Sequence, residues 1–266
     1  MDEICNFVNI DELSQYIQLL GNELKEVQKS DIILKNKTKR DIVTNLDIEI
    51  ERKIITFILL NYPTHKIYSE ETFNKRPTSS SDYIWVIDPI DGTINFNSGL
   101  PFYSISVALI HNNEPQLGII YAPALNELYT VVKNKGSYLN YKPIKCSEQN
   151  TLKNGVFSFT LTSHYSKEET DKILQIVRDL SLKSRGLRLF VSTALELGYV
   201  ASGRLDGFIL IKSRGISSSA GALLVREAGG IATDFAGTLF SIHSKNLIAS
   251  NAKMHNSLIN YLKNKV

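Results

Sequence analysis

Leu13, Ile17, Leu20, Leu24 and Val27 recur at steps of four, three, four and three, which places them on one stripe of a helix. Asn9-Ile10-Asp11-Glu12 ahead of them has the form of a capping box, with Asn9 as cap and Glu12 three residues on. A second helix is predicted behind Thr44-Asn45-Leu46-Asp47, with Ile50, Ile54, Ile55, Ile58 and Leu59 apolar. It should stop before Pro63, because the residue preceding a proline disfavours helical geometry. The basic stretch 35–40 and the serine-rich stretch 77–81 read as loops. In between, Lys66–Ser69 is a short strand leading into Glu70-Glu71. From Tyr83 the pattern is that of strands. Tyr83–Ile87 is a β-branched and aromatic run that should stop at Asp88-Pro89. Phe102–Ile110 and Gln116–Tyr121 are predicted to pair through a hairpin turn at 111–114. Leu128–Lys133 and Ser137–Leu139, with Gly136 between them, extend the sheet.

Past about Cys146 the order changes. Strands Val156–Leu161, Leu187–Val191 and Phe208–Ile211 alternate with helices Lys167–Leu180, Ser192–Ser202 and Ser217–Ala228. Gly203 and Gly229-Gly230 supply stop signals. Such alternation implies a more parallel sheet. The expectation is therefore two halves: residues 1–145 with two helices on a largely antiparallel sheet, and residues 146–266 as a smaller α/β half. The functional cleft is expected between them. There is no internal repeat.

Composition changes this picture little. The chain has 266 residues, 43% hydrophobic and 21% charged, with a formal charge of +3. That balance argues against nucleic acid or an anionic membrane as a main partner. Cys5 and Cys146 have no metal-ligand spacing and read as reduced thiols. Acidic residues sit where a secretory signal needs a basic stretch, and no run approaches the roughly eighteen apolar residues of a membrane span. The reading is cytoplasmic. His65, His111, His164, His243 and His255 form no spaced cluster and are read as structural or exposed. Asp206 is read as a turn residue.

Candidate chemistry is concentrated in Ile87-Asp88-Pro89-Ile90-Asp91-Gly92-Thr93. Two carboxylates three residues apart leave an apolar strand on a proline-stiffened loop, and hard oxygen donors suit magnesium, manganese or calcium. Gly92 lets the backbone approach a ligand, and a helical turn opening there would offer N–H groups to a phosphate. A lone Asp-x-x-Asp is more often a turn with capped backbone groups.

The wider constellation weighs against that bland alternative. Trp85 to Phe96, continuing through Gly99-Leu100-Pro101-Phe102, resembles the first signature of the inositol monophosphatase family. Asp41 to Asp47, Ser69-Glu70-Glu71, Tyr199 to Gly207 and Arg226 to Gly230 match further family elements in order. The resemblance implies an α/β layered sandwich (α-β-α-β-α), with an antiparallel first sheet and a smaller mixed or parallel second one. It also implies a Mg2+-dependent, lithium-sensitive phosphomonoesterase, a homodimer acting on a small phosphorylated substrate. By the same resemblance Glu70, Asp88 and the Ile90 carbonyl would hold a first ion, and Asp88 and Asp91 a second. Thr93, backed by Asp47, would orient and help deprotonate the attacking water. Gly92 and Thr93 would receive phosphate oxygens, with Asp91 on the substrate side. The chemistry would be in-line attack of a metal-activated water on phosphorus. Plain alternatives stand beside these roles: Asp47 as the acid of a capping box, Glu70 as a solvated loop acid, Thr93 as a helix cap.

The sequence departs from the family where the substrate would be read. The Trp-Asp-x-Ala-Ala-Gly signature is Ile216-Ser217-Ser218-Ser219-Ala220-Gly221 here, so a second-metal aspartate becomes Ser217. Serine there would suit a helix N-terminus but brings no charge. Leu210 stands for a substrate-contacting glutamate, Lys212 for a glycine, and Arg188-Leu189-Phe190-Val191-Ser192 lacks the usual glycine. Three readings follow: an active phosphatase of altered specificity, with Lys212 or Arg214 as a substitute cation; a catalytically degenerate member with a binding or regulatory role; and a phosphatase of nucleotide, sulfonucleotide or sugar-bisphosphate substrates. The short stretch from Glu71 to Trp85 favours monophosphatases over the last.

Overall fold

The computed structural model describes residues 8–28, 34–36, 42–75, 82–162 and 165–263, with 34–36 and 42–44 described by backbone alone. Cys5, Asp41 and His164 therefore lie outside the described residues, as does the Thr44 side chain. The first helix, α1 (Ile10–Val27), starts where expected, and the Asn9 side chain accepts from the Glu12 N–H at 3.1 Å. The reciprocal half of a capping box is absent: the Asn9 N–H donates to the Tyr62 hydroxyl at 3.3 Å, and Glu12 takes the Asn9 amide instead. Strands β1 (Leu34–Asn36) and β2 (Ile42–Thr44) pair antiparallel and lead into helix α2 (Asn45–Asn61).

A seven-stranded sheet follows, in sequence order: β3 (Lys66–Ser69), β4 (Ile84–Asp91), β5 (Ser104–His111), β6 (Glu114–Ala122), β7 (Glu127–Val132), β8 (Ser137–Leu139) and β9 (Lys142–Pro143). It is antiparallel except for the β3–β4 pair. The β5–β6 turn is tight because Asn112 and Asn113 both take left-handed conformations, φ 52 and 63, as this hairpin class requires. The strand expected to stop at Ile87 continues to Asp91, carrying both aspartates within the sheet. Asp88 pairs with Ser106 and Asp91 with Ser104, leaving Pro89 and Ile90 opposite the single Ile105, so β4 bulges there.

The second sheet has the order β11–β10–β12–β14–β13, from β10 (Val156–Phe159), β11 (Gly186–Arg188), β12 (Gly207–Leu210), β13 (Gly230–Thr233) and β14 (Leu247–Asn251). Its first three strands are parallel and its last two antiparallel, a mixed sheet. The strand expected over Leu187–Val191 ends at Arg188; beyond it the Phe190 N–H goes to a side chain and Val191 is left-handed, so neither joins the ladder. Beyond Gly230, where the hydrophobic pattern set no element, lie β13, β14 and a helix over Ala252–Leu262.

The remaining helices are α4 (Lys167–Ser181), α5 (Thr193–Ala201), α6 (Ser219–Glu227) and α7 (Ala252–Leu262), after a five-residue turn of helix, α3 (Thr93–Asn97). Strand alternation sets the layers. Trp85, Ile87, Val107 and Ile119 meet α1 and α2 through Leu13, Ile17, Ile50 and Ile54. Ile84, Val86, Ile110 and Ile120 face the other way, onto Leu195, Val200, Leu223 and Leu224 of α5 and α6. Those helices also cover Phe208, Leu210 and Ala249 of the second sheet. The outer face, with Phe157, Ile209 and Ile248, is closed by Ile173 and Ile176 of α4 and Met254 and Leu258 of α7. The order is α-β-α-β-α. All nine residues of α5 are buried, which explains why it carries no polar face. A Cβ on Gly118 would come within 2.9 Å of Ala220, so a glycine there lets α6 lie directly on β6.

One buried group makes stability depend on pH. His255 is buried, with Nε2 against Thr233 Oγ1 at 2.9 Å and Nδ1 against Ser250 Oγ at 2.8 Å. Burial lowers its pKa from 6.5 to about 4. The unfolded chain therefore takes up this proton at a pH where the native state refuses it, so the contribution is complete above 6.5 and is lost as pH falls toward 4. Between pH 7 and pH 5 the native protein should lose about 2 kcal/mol more, or gain about 2 kcal/mol less, than His255→Gln in urea unfolding. Equal pH dependence in both proteins would refute it.

Candidate active site

The bulged end of β4 opens onto a cavity of about 390 Å³ lined by Glu70, Asp88, Ile90–Asn95, Thr160–Thr162, Val191, Thr193 and Ser217. Chain-distant segments meet because β4, β10, α5 and α6 all end there. Gly92 makes the turn from strand to α3 with φ 93, and a Cβ on it would come within 2.8 Å of the Phe102 carbonyl. No other residue fits that position without displacing backbone.

Asp88 is buried, and its Oδ2 accepts a hydrogen bond from Ser217 Oγ at 2.6 Å. Its Oδ1 has no hydrogen-bond partner among the described residues. Burial, and then the charges of Glu70 and Asp91, push its pKa well above the ordinary carboxylate value. A buried carboxylate with one orphaned oxygen, beside a second carboxylate and the Ile90 carbonyl, is a donor set suited to a hard divalent cation. Asp91 is placed differently. Its Oδ2 accepts from Ser192 Oγ at 2.7 Å and the Ala194 N–H at 2.8 Å, its Oδ1 from the Thr193 N–H at 3.0 Å. Burial nonetheless raises its pKa, to about 6. With Asp91 turned toward α5, no three His, Cys, Asp or Glu side chains among the described residues close into a preformed cage.

Asp47 is buried on the first turn of α2, and the Thr93 hydroxyl lies 3.3 Å from its Oδ1 and 3.0 Å from the Ile90 carbonyl oxygen. The single hydroxyl proton can serve only one of them at a time, which links Asp47, Thr93 and Ile90. Ser217 does not cap α6 as expected; Ser218 holds the N-cap position, and the Ser217 hydroxyl reaches across the cleft to Asp88. The buried Asp88 carboxylate, crowded by Glu70 and Asp91, draws that hydroxyl as a donor more strongly than the start of the helix draws it as a cap.

One supporting residue escaped the sequence reading. Glu51, buried one turn after Asp47 on the same face of α2, accepts from the Glu71 N–H at 2.8 Å and the Thr72 N–H at 2.9 Å. It thereby fixes the turn that presents Glu70. The available signal was an i, i+4 pair of acids on a helix face that is otherwise apolar. Other candidates fall outside the cavity. Leu210 is buried in the middle layer. Lys212 pairs with Glu169 at 3.1 Å, and neither it nor Arg214 lines the site, so the substitute-cation idea loses its geometric basis. His65 accepts from Trp85 Nε1 at 2.9 Å, His111 stacks on Tyr83, and His243 is exposed. Asp206 accepts from the Val156 N–H at 2.7 Å, a structural role as expected.

Residues 7–266 match the inositol monophosphatase family. The chain is 37% identical over 220 residues to a fructose-1,6-bisphosphatase/inositol-1-monophosphatase of Thermotoga maritima, covering 83% of this chain and 82% of that one. It is 36% identical over 223 residues to the Nus factor SuhB of Escherichia coli, covering 84% and 83%. Among solved structures, a Thermotoga maritima IMPase superposes with a TM-score of 0.87 at 33% identity, covering 96% of both chains. The suhB protein of Bartonella henselae superposes with a TM-score of 0.89 at 28% identity, covering 97% of this chain and 100% of that one.

Proposed function

This chain belongs to the inositol monophosphatase family, and from that premise we propose a magnesium-dependent phosphomonoesterase acting on a small phosphorylated polyol or sugar. The observation that carries the reading is Asp88, buried, crowded by the Glu70 and Asp91 carboxylates, and left with an open oxygen in the cavity that Glu70 and Ile90 also line. In this reading Asp88, Glu70 and the Ile90 carbonyl would hold one Mg2+, and a weaker second position would fall to Asp88 and to Asp91 once it turns away from its α5 donors. A bound Mg2+ supplies Lewis-acid polarisation of the phosphate and offsets the charge of the carboxylates. Thr93 orients the attacking water and passes its proton toward Asp47. The N–H groups that open α3 at Gly92 and Thr93 take phosphate oxygens. The leaving alcohol then lies against Ile94, Leu161, Val191 and the hydroxyls of Thr160 and Thr162, without the glutamate that Leu210 replaces. Asp91, anchored by Ser192, Thr193 and Ala194, holds the boundary between phosphate and alcohol.

Within the same reading the protein is a cytoplasmic homodimer divided near residue 145, without nucleic acid or membrane as partner. The near-balanced charge supports the absence of a polyanion partner. Ser217 favours a second reading, a catalytically degenerate member that binds without turning over. Phosphate release from inositol, sugar and nucleotide monophosphates, with and without Mg2+, separates the two. Mg2+-dependent release from a polyol or sugar phosphate is expected. No release from any of them by the native protein, with release appearing in Ser217→Asp, would establish the second reading instead.

A further inference from the structure

Val191 is a β-branched residue in the left-handed region, at φ 57, on the wall of the cavity. A side chain branched at Cβ is strained there, and such strain persists only where the surroundings over-determine the backbone. On one side the Asn95 amide donates to the Phe190 carbonyl at 2.6 Å and to the Phe102 carbonyl at 2.7 Å. The Phe190 ring is held between those of Phe102 and Tyr199, at 4.8 and 5.6 Å between centroids. On the other side stands Glu196, in the first turn of α5 and fully buried. Its Oε1 accepts from the Phe190 N–H at 3.4 Å. Its Oε2 has no hydrogen-bond partner among the described residues.

An acid at this point is costly, since the rest of α5 is almost wholly apolar and a buried carboxyl needs partners. Burial, the largest influence, pushes its pKa well above the ordinary value and the Asp91 charge adds to that; the Phe190 N–H, and to a smaller extent the Ser158 hydroxyl and the Ser192 N–H, oppose the shift. These opposing groups show what the carboxyl faces: the two residues on either side of Val191, and the strand β10 that carries Thr160 into the cavity. The three donors to Asp91 come from Ser192, Thr193 and Ala194, the residues directly after the strained one. A glycine would adopt this turn freely; here Val191 takes it, with the buried acid Glu196 in the helical turn that follows.

We propose that Glu196 is a positioning residue: its carboxyl holds the Phe190–Thr193 turn in the left-handed form that aims three donors at Asp91. The effect on turnover rests on the phosphatase reading, but the effect on the turn does not. Two readouts therefore accompany each variant: Mg2+-dependent phosphate release, resolved into kcat and KM, and amide hydrogen exchange of Thr193 and Ala194.

Glu196→Ala should lower kcat at least about tenfold with a smaller change in KM, and speed exchange of both amides by at least about tenfold. Glu196→Gln, which keeps an acceptor for Phe190, should restore both. In a V191G background the same E196A change should cost less than about threefold in either readout, because glycine adopts the turn unaided. If Glu196→Ala does not fold, Glu196→Met fills the volume and carries the same comparison. Equal losses in the two backgrounds, or unaltered exchange in Glu196→Ala, would overturn the proposal. Accelerated exchange in a protein that turns over no substrate would leave the clamp standing and count against the phosphatase reading alone.

Discussion

Asp88→Asn is expected to abolish Mg2+-dependent phosphate release, by at least about a thousandfold, while raising the melting temperature of the metal-free protein. Both effects come from one feature. The Asp88 carboxylate is buried beside Glu70 and Asp91, and its pKa is raised by burial and by their charge. A group whose pKa is higher in the folded state destabilises that state progressively as pH rises above the ordinary carboxylate value. The gain from asparagine should therefore be present at pH 7 and vanish near pH 4, where aspartic acid is itself neutral. A shift of a few degrees is in range for relief of a buried like-charge contact in a chain of this size. Asparagine can still accept from Ser217 Oγ, now 2.6 Å from Asp88 Oδ2, so packing is retained. Added Mg2+ should raise the melting temperature of the native protein and not that of the variant. Full activity in Asp88→Asn, or an unchanged melting temperature at pH 7, would refute this account of the site.

Ser217→Asp should act in the opposite direction on both quantities. The Ser217 hydroxyl now neutralises part of the Asp88 charge by donating to it. An aspartate would remove that donor and add a further carboxylate, so the metal-free protein should melt at a lower temperature. With Mg2+ the added ligand should lower the half-saturating concentration by about ten- to a hundredfold. Titration calorimetry with Mg2+ tests this without a substrate, and phosphate release at limiting Mg2+ tests it with one. If the native protein turns over and Ser217→Asp binds Mg2+ no more tightly, the serine is not a deficit. The hydroxyl would then be a sufficient partner for Asp88 by itself.

How much of this was legible in the chain depends on the range of the interaction involved. The apolar stripe of α1 and its Asn9 cap are set within a few residues, and the structure reproduces them. The hairpin at Asn112-Asn113 is equally local, since asparagine tolerates the left-handed backbone it needs. Strand β4 was foreseen but stopped short, because proline and aspartate read as a terminus. The bulge opposite Ser104 and Ser106 keeps Asp88 and Asp91 in the sheet, and no local pattern announces a bulge. The left-handed Val191 was likewise invisible. A β-branched residue after Leu189-Phe190 reads as strand, whereas the Phe190 backbone before it is bound by Asn95 and Glu196, which no local pattern shows.

Among the site residues, the sequence by itself determined the donor chemistry: carboxylates at Asp47, Glu70, Asp88 and Asp91, the Ile90 carbonyl, and the Gly92-Thr93 turn. Those are properties of residue type and short spacing. Only the tertiary structure decided how they are used, because orientation and burial depend on elements far apart in the chain. It turned both oxygens of Asp91 toward α5, left one oxygen of Asp88 open, and brought Ser217 from the start of α6 to the other. It also brought Glu51 behind the turn that presents Glu70, and Glu196 behind the turn that meets Asp91. A carboxylate's identity is written in one residue, whereas its charge and direction are set by whatever the fold packs against it.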